Sequence, residues 1–186
     1  STGTRKNLCG RIAGAACHSA GGRPLTQKSL FDKPEFEKPA PRPSSRTAPH
    51  AIKANIDGGA RGNPGPAAYG VVIRDAKGEV IAELSDYLGL QTNNYAEYSG
   101  LLAALEFAVR EKHLSLKVLS DSELLVRQMQ GRYKVKSPGL IDLYDRARAL
   151  VRKLEHFSID HVLRQYNKDA DALVNQVLDS RGRGAR

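Results

Sequence analysis

From Ala51 onward the apolar residues change their spacing in a fixed order, and that order restricts the possible folds more than any other property of the chain. In "AIKANID" (51–57), Ile52, Ala54 and Ile56 alternate with Lys53, Asn55 and Asp57, the two-residue period of a half-buried strand. "AYGVVIRD" and "EVIAELSDYL" read as two more strands, joined by the turn "AKG". At "NNYAEYSGLLAALEFAVREK" the spacing lengthens to that of a helix, with Leu101, Ala104, Leu105 and Ala108 on its buried stripe. "LKVLSD" is a short apolar strand, and "SELLVRQMQG" a second helix closed by Gly131. Pro138 and Gly139 precede a third helix, whose inner face carries Leu140, Leu143, Tyr144, Ala147, Leu150, Val151 and Leu154. "FSIDHVL" is a fifth strand. "NKDADALVNQVLDS" is a last helix, with Asn167 as N-cap and Ala170, Leu173, Val174 and Val177 inward. The order β-β-β-α-β-α-α-β-α predicts an α/β fold with a five-stranded mixed sheet flanked by helices. A hairpin meander comes first, then crossovers that feed parallel strands.

Residues 1–50 lack this periodicity. They are rich in Gly, Ala, Ser, Pro and basic residues, and "EKPAPRPSSRTAPH" reads as an extended linker. The chain divides into a disordered basic arm over 1–50, a folded domain over 51–180 and a frayed basic end, "RGRGAR", over 181–186. The net charge is +9 over 186 residues, yet the arm holds nine Lys and Arg against three Asp and Glu, while the remainder holds 20 against 17. The basic excess therefore lies mostly in the arm, where it can add sequence-independent attraction to phosphates. Both cysteines, Cys9 and Cys17, are in the arm. With His18 they make only three candidate zinc ligands, so a structural zinc site is not expected. A folded part without cysteine fits a reducing compartment, and a cytoplasmic protein is expected. The first 31 residues, which contain no Asp or Glu, also share features with an organelle-import segment. No apolar run approaches the roughly 18–20 residues that span a bilayer, and no feature demands an oligomer, so a monomer is expected.

Four acidic residues occupy unusual places. Asp57 ends the first strand and Asp121 the fourth, where open α/β sheets bind ligands; a strand-end Asp also serves as a helix N-cap. Glu97 lies four residues before Leu101 and eight before Leu105, on the apolar stripe of its own helix. A carboxylate there must be paired, protonated or bound to a cation. Asp171 falls in the first turn of the last helix, where dipole compensation alone would accommodate it. Convergence of the four at one sheet edge would call for hard divalent cations with oxygen ligands, Mg²⁺ or Mn²⁺. Two such ions about 4 Å apart form a clamp for phosphoryl displacement by water. The Gly- and Pro-rich "DGGARGNPGP" (57–66) lacks the GK[ST] of a nucleotide phosphate loop and leads into a strand, so it reads as a hairpin loop with Asp57 at its base.

Four pieces occur in order and on the expected elements: "DGGARGNPGP" at 57–66, "TNNYAE" at 92–97, "SDSELLVRQMQGRYKVK" at 120–136 and "RQYNKDADALVN" at 164–175. In these the chain resembles ribonuclease H type 1 (ribonuclease HI) over roughly residues 51–180. The resemblance implies an endonuclease that cuts the RNA strand of an RNA–DNA hybrid by a two-metal mechanism, leaving 3′-hydroxyl and 5′-phosphate ends. Asp57, Glu97, Asp121 and Asp171 match the family's metal-binding quartet. Asp57 and Asp121 would touch both ions, Asp171 the ion that activates water, and Glu97 the ion at the leaving group. Asn63, Asn93 and Asn94 match positions that sense 2′-hydroxyls in the minor groove, and Thr92 one that holds a DNA-strand phosphate; Gly58 and Asn167 are counted with the substrate-binding positions.

The sequence departs from many relatives at two places. Asp121-Ser122-Glu123 stands where several have Asp-Ser-Gln. Many bacterial members carry a basic helical protrusion after the second helix, whereas here "GRYKVKSPG" passes almost directly to the next one, leaving Arg132, Lys134 and Lys136. "VLRQYNKDAD" fits the handle-less branch, which puts Arg164 ahead of His161 as the catalytic cation beside the scissile phosphate. Two other readings remain: a catalytically silent nucleic-acid binding module of the same fold, and another nuclease of the same superfamily.

Overall fold

The computed structural model describes residues 51–183. The arm expected over 1–50, with Cys9, Cys17 and His18, lies outside the described residues, as do residues 184–186. The elements follow the expected order: β1 Ala51–Ala60, β2 Gly65–Arg74, β3 Val80–Gln91, α1 Asn93–Arg110, β4 Ser115–Ser120, α2 Glu123–Met129, α3 Pro138–Val151, β5 His156–His161 and α4 Lys168–Arg183. A single 3-10 turn, Arg164–Tyr166, precedes α4. α4 runs three residues into the stretch read as a frayed end, and Pro138 is the first residue of α3 rather than a residue before it, a position where its missing N–H costs nothing. Among the described residues no helix is long and apolar enough to cross a membrane.

The five strands lie in the order β3-β2-β1-β4-β5, with the first three antiparallel and β4 and β5 parallel to β1. The alternation read from the sequence sets the two faces. Ile52, Ala54 and Ile56 are each at most 3% exposed and join Leu101, Leu105 and Ala108 of α1 and Leu140, Leu143 and Ala147 of α3 in the main core. Ala68 packs with Val174 and Leu178 of α4 in a second cluster.

Two glycines let the helices approach closely. A Cβ on Gly58 would stand 2.2 Å from the Glu97 backbone nitrogen, so α1 rests on the bare backbone of β1. A Cβ on Gly70 would stand 2.4 Å from the Ala170 carbonyl oxygen, so α4 rests in the same way on β2. Because successive residues of a strand face opposite ways, Gly58 opens the α1 face and Asp57, paired with Gly70, lies on the α4 face.

β1 does not end at Asp57. Its ladder with β2 continues to Ala60↔Ala67, whereas its ladder with β4 stops at Ile56↔Ser120. Asp57 thus stands where β1 loses its parallel neighbour, and Asp121 is the first residue beyond β4.

Candidate active site

At this edge a cavity of about 390 Å³ opens, lined by Asp57, Glu97, Asp121 and Asp171, with Arg61, Asn93, Arg164 and Asn175 around them. The four acids come from β1, α1, the end of β4 and α4, the convergence that the sequence could only suggest. Asp57 is pushed up to about 6, first by burial and then by the charges of Asp121 and Asp171. Glu97 is pushed up to about 7, again first by burial; hydrogen bonds from Ser122 and Asn93 work against the shift, and the charges of Asp57 and Asp121 add to it. The carboxylates repel one another in partly buried surroundings.

Each acid has its own supports. The Ser122 hydroxyl donates to Glu97 Oε2, and Asn93 Nδ2 donates to Oε1 at 2.9 Å. Ser122 also accepts from the Leu125 amide at 3.4 Å as the N-cap of α2, so Glu97 is bound to the start of that helix. Arg164 donates to Asp171 Oδ1 at 2.6 Å, and Asn175 Nδ2 donates to Oδ2 at 3.0 Å. His161 Nε2 donates to the Asp121 backbone carbonyl at 3.2 Å. Ser122 and Asn175 were not singled out in the sequence. Asn175, four residues after Asp171, has the spacing of a helical neighbour; Ser122 meets Glu97 only through the fold.

The remaining expected residues divide. Asn63 is exposed in the β1–β2 loop. Arg61 N–H donates to the Pro66 carbonyl at 2.8 Å to close that loop, and the Arg61 guanidinium pairs with Asp179 of α4. Thr92 caps α1, its hydroxyl accepting from the Tyr95 amide at 3.3 Å. Asn94 is half-buried in the first turn. Gly58 lines the cavity, and it is also the point at which α1 touches β1. Glu123 pairs with Arg127 of its own helix. Residues 132–137 form no helix, so the basic protrusion is absent.

Asn167 requires correction. Its carbonyl does accept the first i to i−4 bond of α4, from the Asp171 amide at 3.1 Å, but its side-chain oxygen is taken by Asn55 Nδ2 rather than by the helix. It is 1% exposed and turned into the protein, where Nδ2 donates to the Ile56 carbonyl at 2.8 Å and to Asp121 Oδ1 at 3.2 Å. A side chain so enclosed is not presented to a substrate, because burial requires its polar atoms to be satisfied from within.

Among the described residues, no group of three or more His, Cys, Asp or Glu is placed so that it could hold a metal ion as it stands. The donors nevertheless fit a hard divalent cation in kind: all are oxygens, burial and then mutual repulsion raise Asp57 and Glu97, and the cavity has room for water.

Residues 55–177 match the family described as reverse transcriptase-like. The N-terminal RNase H domain of a Mycobacterium tuberculosis protein superposes with a TM-score of 0.70 at 43% identity, covering 73% of this chain and 99% of that one. RNase H1 of Halobacterium salinarum superposes at 0.68 with 42% identity, covering 70% and 98%. The chain belongs to the ribonuclease H family. A further member, LC11-RNase H1 in complex with an RNA/DNA hybrid, superposes at 0.66 with 44% identity over 70% of this chain and 98% of that one. Among curated relatives, a bifunctional protein of M. tuberculosis is 45% identical over 135 residues. The chain spans 37% of that relative's length, and 64% of the length of the H. salinarum ribonuclease HI, to which it is 42% identical.

Proposed function

We propose that the chain hydrolyses the RNA strand of RNA–DNA hybrids, using two divalent cations, Mg²⁺ or Mn²⁺, held by Asp57, Glu97, Asp121 and Asp171. The observation that carries this reading is the meeting of the four carboxylates in one cavity, where burial first and mutual repulsion second raise Asp57 and Glu97. The hybrid complex of LC11-RNase H1, a relative at 44% identity, supports the choice of substrate. When bound, the cations supply Lewis acidity, acidifying an attacking water and taking up charge at the leaving oxygen.

The chain's own residues supply the rest. Glu97, fixed by Ser122 and Asn93, presents its carboxylate from the α1 side, and Asp171 from the α4 side. Arg164, exposed at the rim beside Asp171, offers a permanent positive charge to the scissile phosphate. Asn63 and Asn94 would meet the shallow minor groove, where 2′-hydroxyls mark the RNA strand, and Thr92 a DNA-strand phosphate. Asn93, bonded to Glu97, would couple groove contact to the metal site.

The test is incubation with labelled RNA–DNA hybrid, duplex DNA and duplex RNA in Mg²⁺, Mn²⁺ or EDTA. Cutting of the hybrid's RNA strand alone, abolished by EDTA and by Asp57→Asn, is expected. Binding without cleavage in every metal would instead mark a silent binding module, and cleavage of duplex DNA with the hybrid left intact would mark a different nuclease.

A further inference from the structure

Asn167 touches the supports of three of the four carboxylates and is 1% exposed. Its Nδ2 hydrogens go to Asp121 Oδ1, at 3.2 Å, and to the carbonyl of Ile56, the residue before Asp57, at 2.8 Å. Its own carbonyl receives the amide of Asp171 at 3.1 Å, and its amide donates to the Arg164 carbonyl at 2.9 Å. Its Oδ1 receives Asn55 Nδ2 at 3.2 Å, and the same Asn55 group donates to the Tyr166 carbonyl at 3.3 Å. Every polar group of a 1% exposed side chain is therefore partnered, across β1, the end of β4 and the start of α4.

β1 and β4 are paired only as far as Ile56↔Ser120, so nothing in the sheet's own ladder fixes Asp121 relative to Asp57. The Asn167 amide bridges that gap. Only a primary amide could do so at this place. A carboxylate would have no donor for Ile56 or Asp121, and a hydroxyl could not reach both while accepting from Asn55.

We infer that Asn167 is a positioning residue that sets the spacing of Asp57, Asp121 and Asp171 for the cations and does not bind the nucleic acid. The inference rests on the metal-dependent reading above. Outer partners of ligating carboxylates commonly change metal affinity by about 10–100-fold when removed, whereas loss of a substrate contact leaves metal binding alone.

Calorimetric titration of Mg²⁺ into the full chain, without nucleic acid, separates the two. Asn167→Ala should weaken Mg²⁺ binding by about tenfold or more, keep a cooperative melt, and leave hybrid affinity in EDTA unchanged. Should Asn167→Ala melt below the assay temperature, Asn55→Ala carries the same test: it removes the donor to Oδ1 together with the bond to the Tyr166 carbonyl, leaves the Asn167 bonds to Ile56 and Asp121 in place, and should weaken Mg²⁺ binding to a smaller degree. Asn63→Ala is the converse control, losing hybrid affinity at wild-type Mg²⁺ affinity. Unchanged Mg²⁺ binding in the folded variant overturns the inference, and so does reduced hybrid affinity in EDTA. If the wild-type chain itself binds no Mg²⁺, the metal-dependent function falls as well, an outcome distinct from a wild type and variant that bind equally.

Discussion

The guanidinium of Arg164 donates to Asp171 Oδ1 at 2.6 Å, so the carboxylate proposed to hold a cation already has a cation of the protein's own. The pair lies at the rim, with the Arg164 side chain 77% exposed, and exposed pairs of this kind contribute about 0.2–1 kcal/mol. Arg164→Ala should therefore lower the Mg²⁺ concentration for half-maximal cleavage by at most about fivefold. It should also lower maximal turnover, since a charge beside the phosphate is lost. A Mg²⁺ titration of cleavage reads both. A higher Mg²⁺ requirement would mean that Arg164 holds Asp171 in place instead of competing for it.

The raised acids predict the pH dependence of the metal-free protein. In the unfolded chain Asp57 and Glu97 ionise near their ordinary values; in the folded chain they do so near 6 and 7. Between about pH 4 and 7 the folded state thus binds more protons, so stability falls as pH rises through that window. Each shift of this size corresponds to about 3 kcal/mol, shared in part because the charges raise one another. Urea denaturation in EDTA should show lower stability at pH 8 than at pH 5, and Glu97→Gln should remove much of the difference. Mg²⁺ should restore stability at pH 8, with proton release on binding near pH 6.5. Stability that rises with pH across this range would contradict the assignment.

Gly58→Ala should be disproportionately damaging for one methyl group. The new Cβ would lie 2.2 Å from the Glu97 nitrogen and 2.3 Å from the Ala96 carbonyl carbon, backbone atoms that cannot rotate away. α1 would have to lift from β1, at a cost of about 2 kcal/mol or more. Because Glu97 rides on the displaced turn, cleavage should fall further than the thermal melt alone accounts for. A variant with wild-type melting and activity would show that the helix can shift freely.

A chain beginning at residue 51 loses nine Lys and Arg and three Asp and Glu. Its hybrid affinity should be lower and less sensitive to salt, because fewer phosphate counterions are released on binding. Anisotropy titrations between about 50 and 200 mM salt measure the slope. An unchanged slope would assign the arm no part in binding.

The residues that were legible in the sequence are those whose environment is set by their own element. Glu97 betrayed itself by sitting on the stripe of Leu101, Ala104 and Leu105, all fully buried as expected. The strand pattern of β1 and the close of α2 at Gly131, with φ +75°, are equally local. What escaped depends on partners distant in sequence. The Ser122 hydroxyl reaches Glu97 across 25 residues, and Asn167 reaches Ile56 across 111. Asn167 stood at a plausible cap position, and the local rule that favours Asn there says nothing of a stronger demand from across the sheet. The extension of β1 beyond Asp57 was missed because Gly58 and Gly59 read as loop, although β2 supplies a ladder for them.

Gly58 and Gly70 leave the sheet without side-chain bulk beside Asp57, one on each face. Glu97 and Asp171 therefore reach the same cavity from opposite layers, and the distance between them is a measure of the sheet's local thickness. Backbone contact sets how near each helix lies to the sheet, and the bonds from Ser122, Asn93, Arg164 and Asn175 set how each carboxylate reaches across it. Variation in the arm, in the residue 132–137 loop or in the Asn63 hairpin can alter what is held and how long, while the gauge that sets the gap between the acids stays constant.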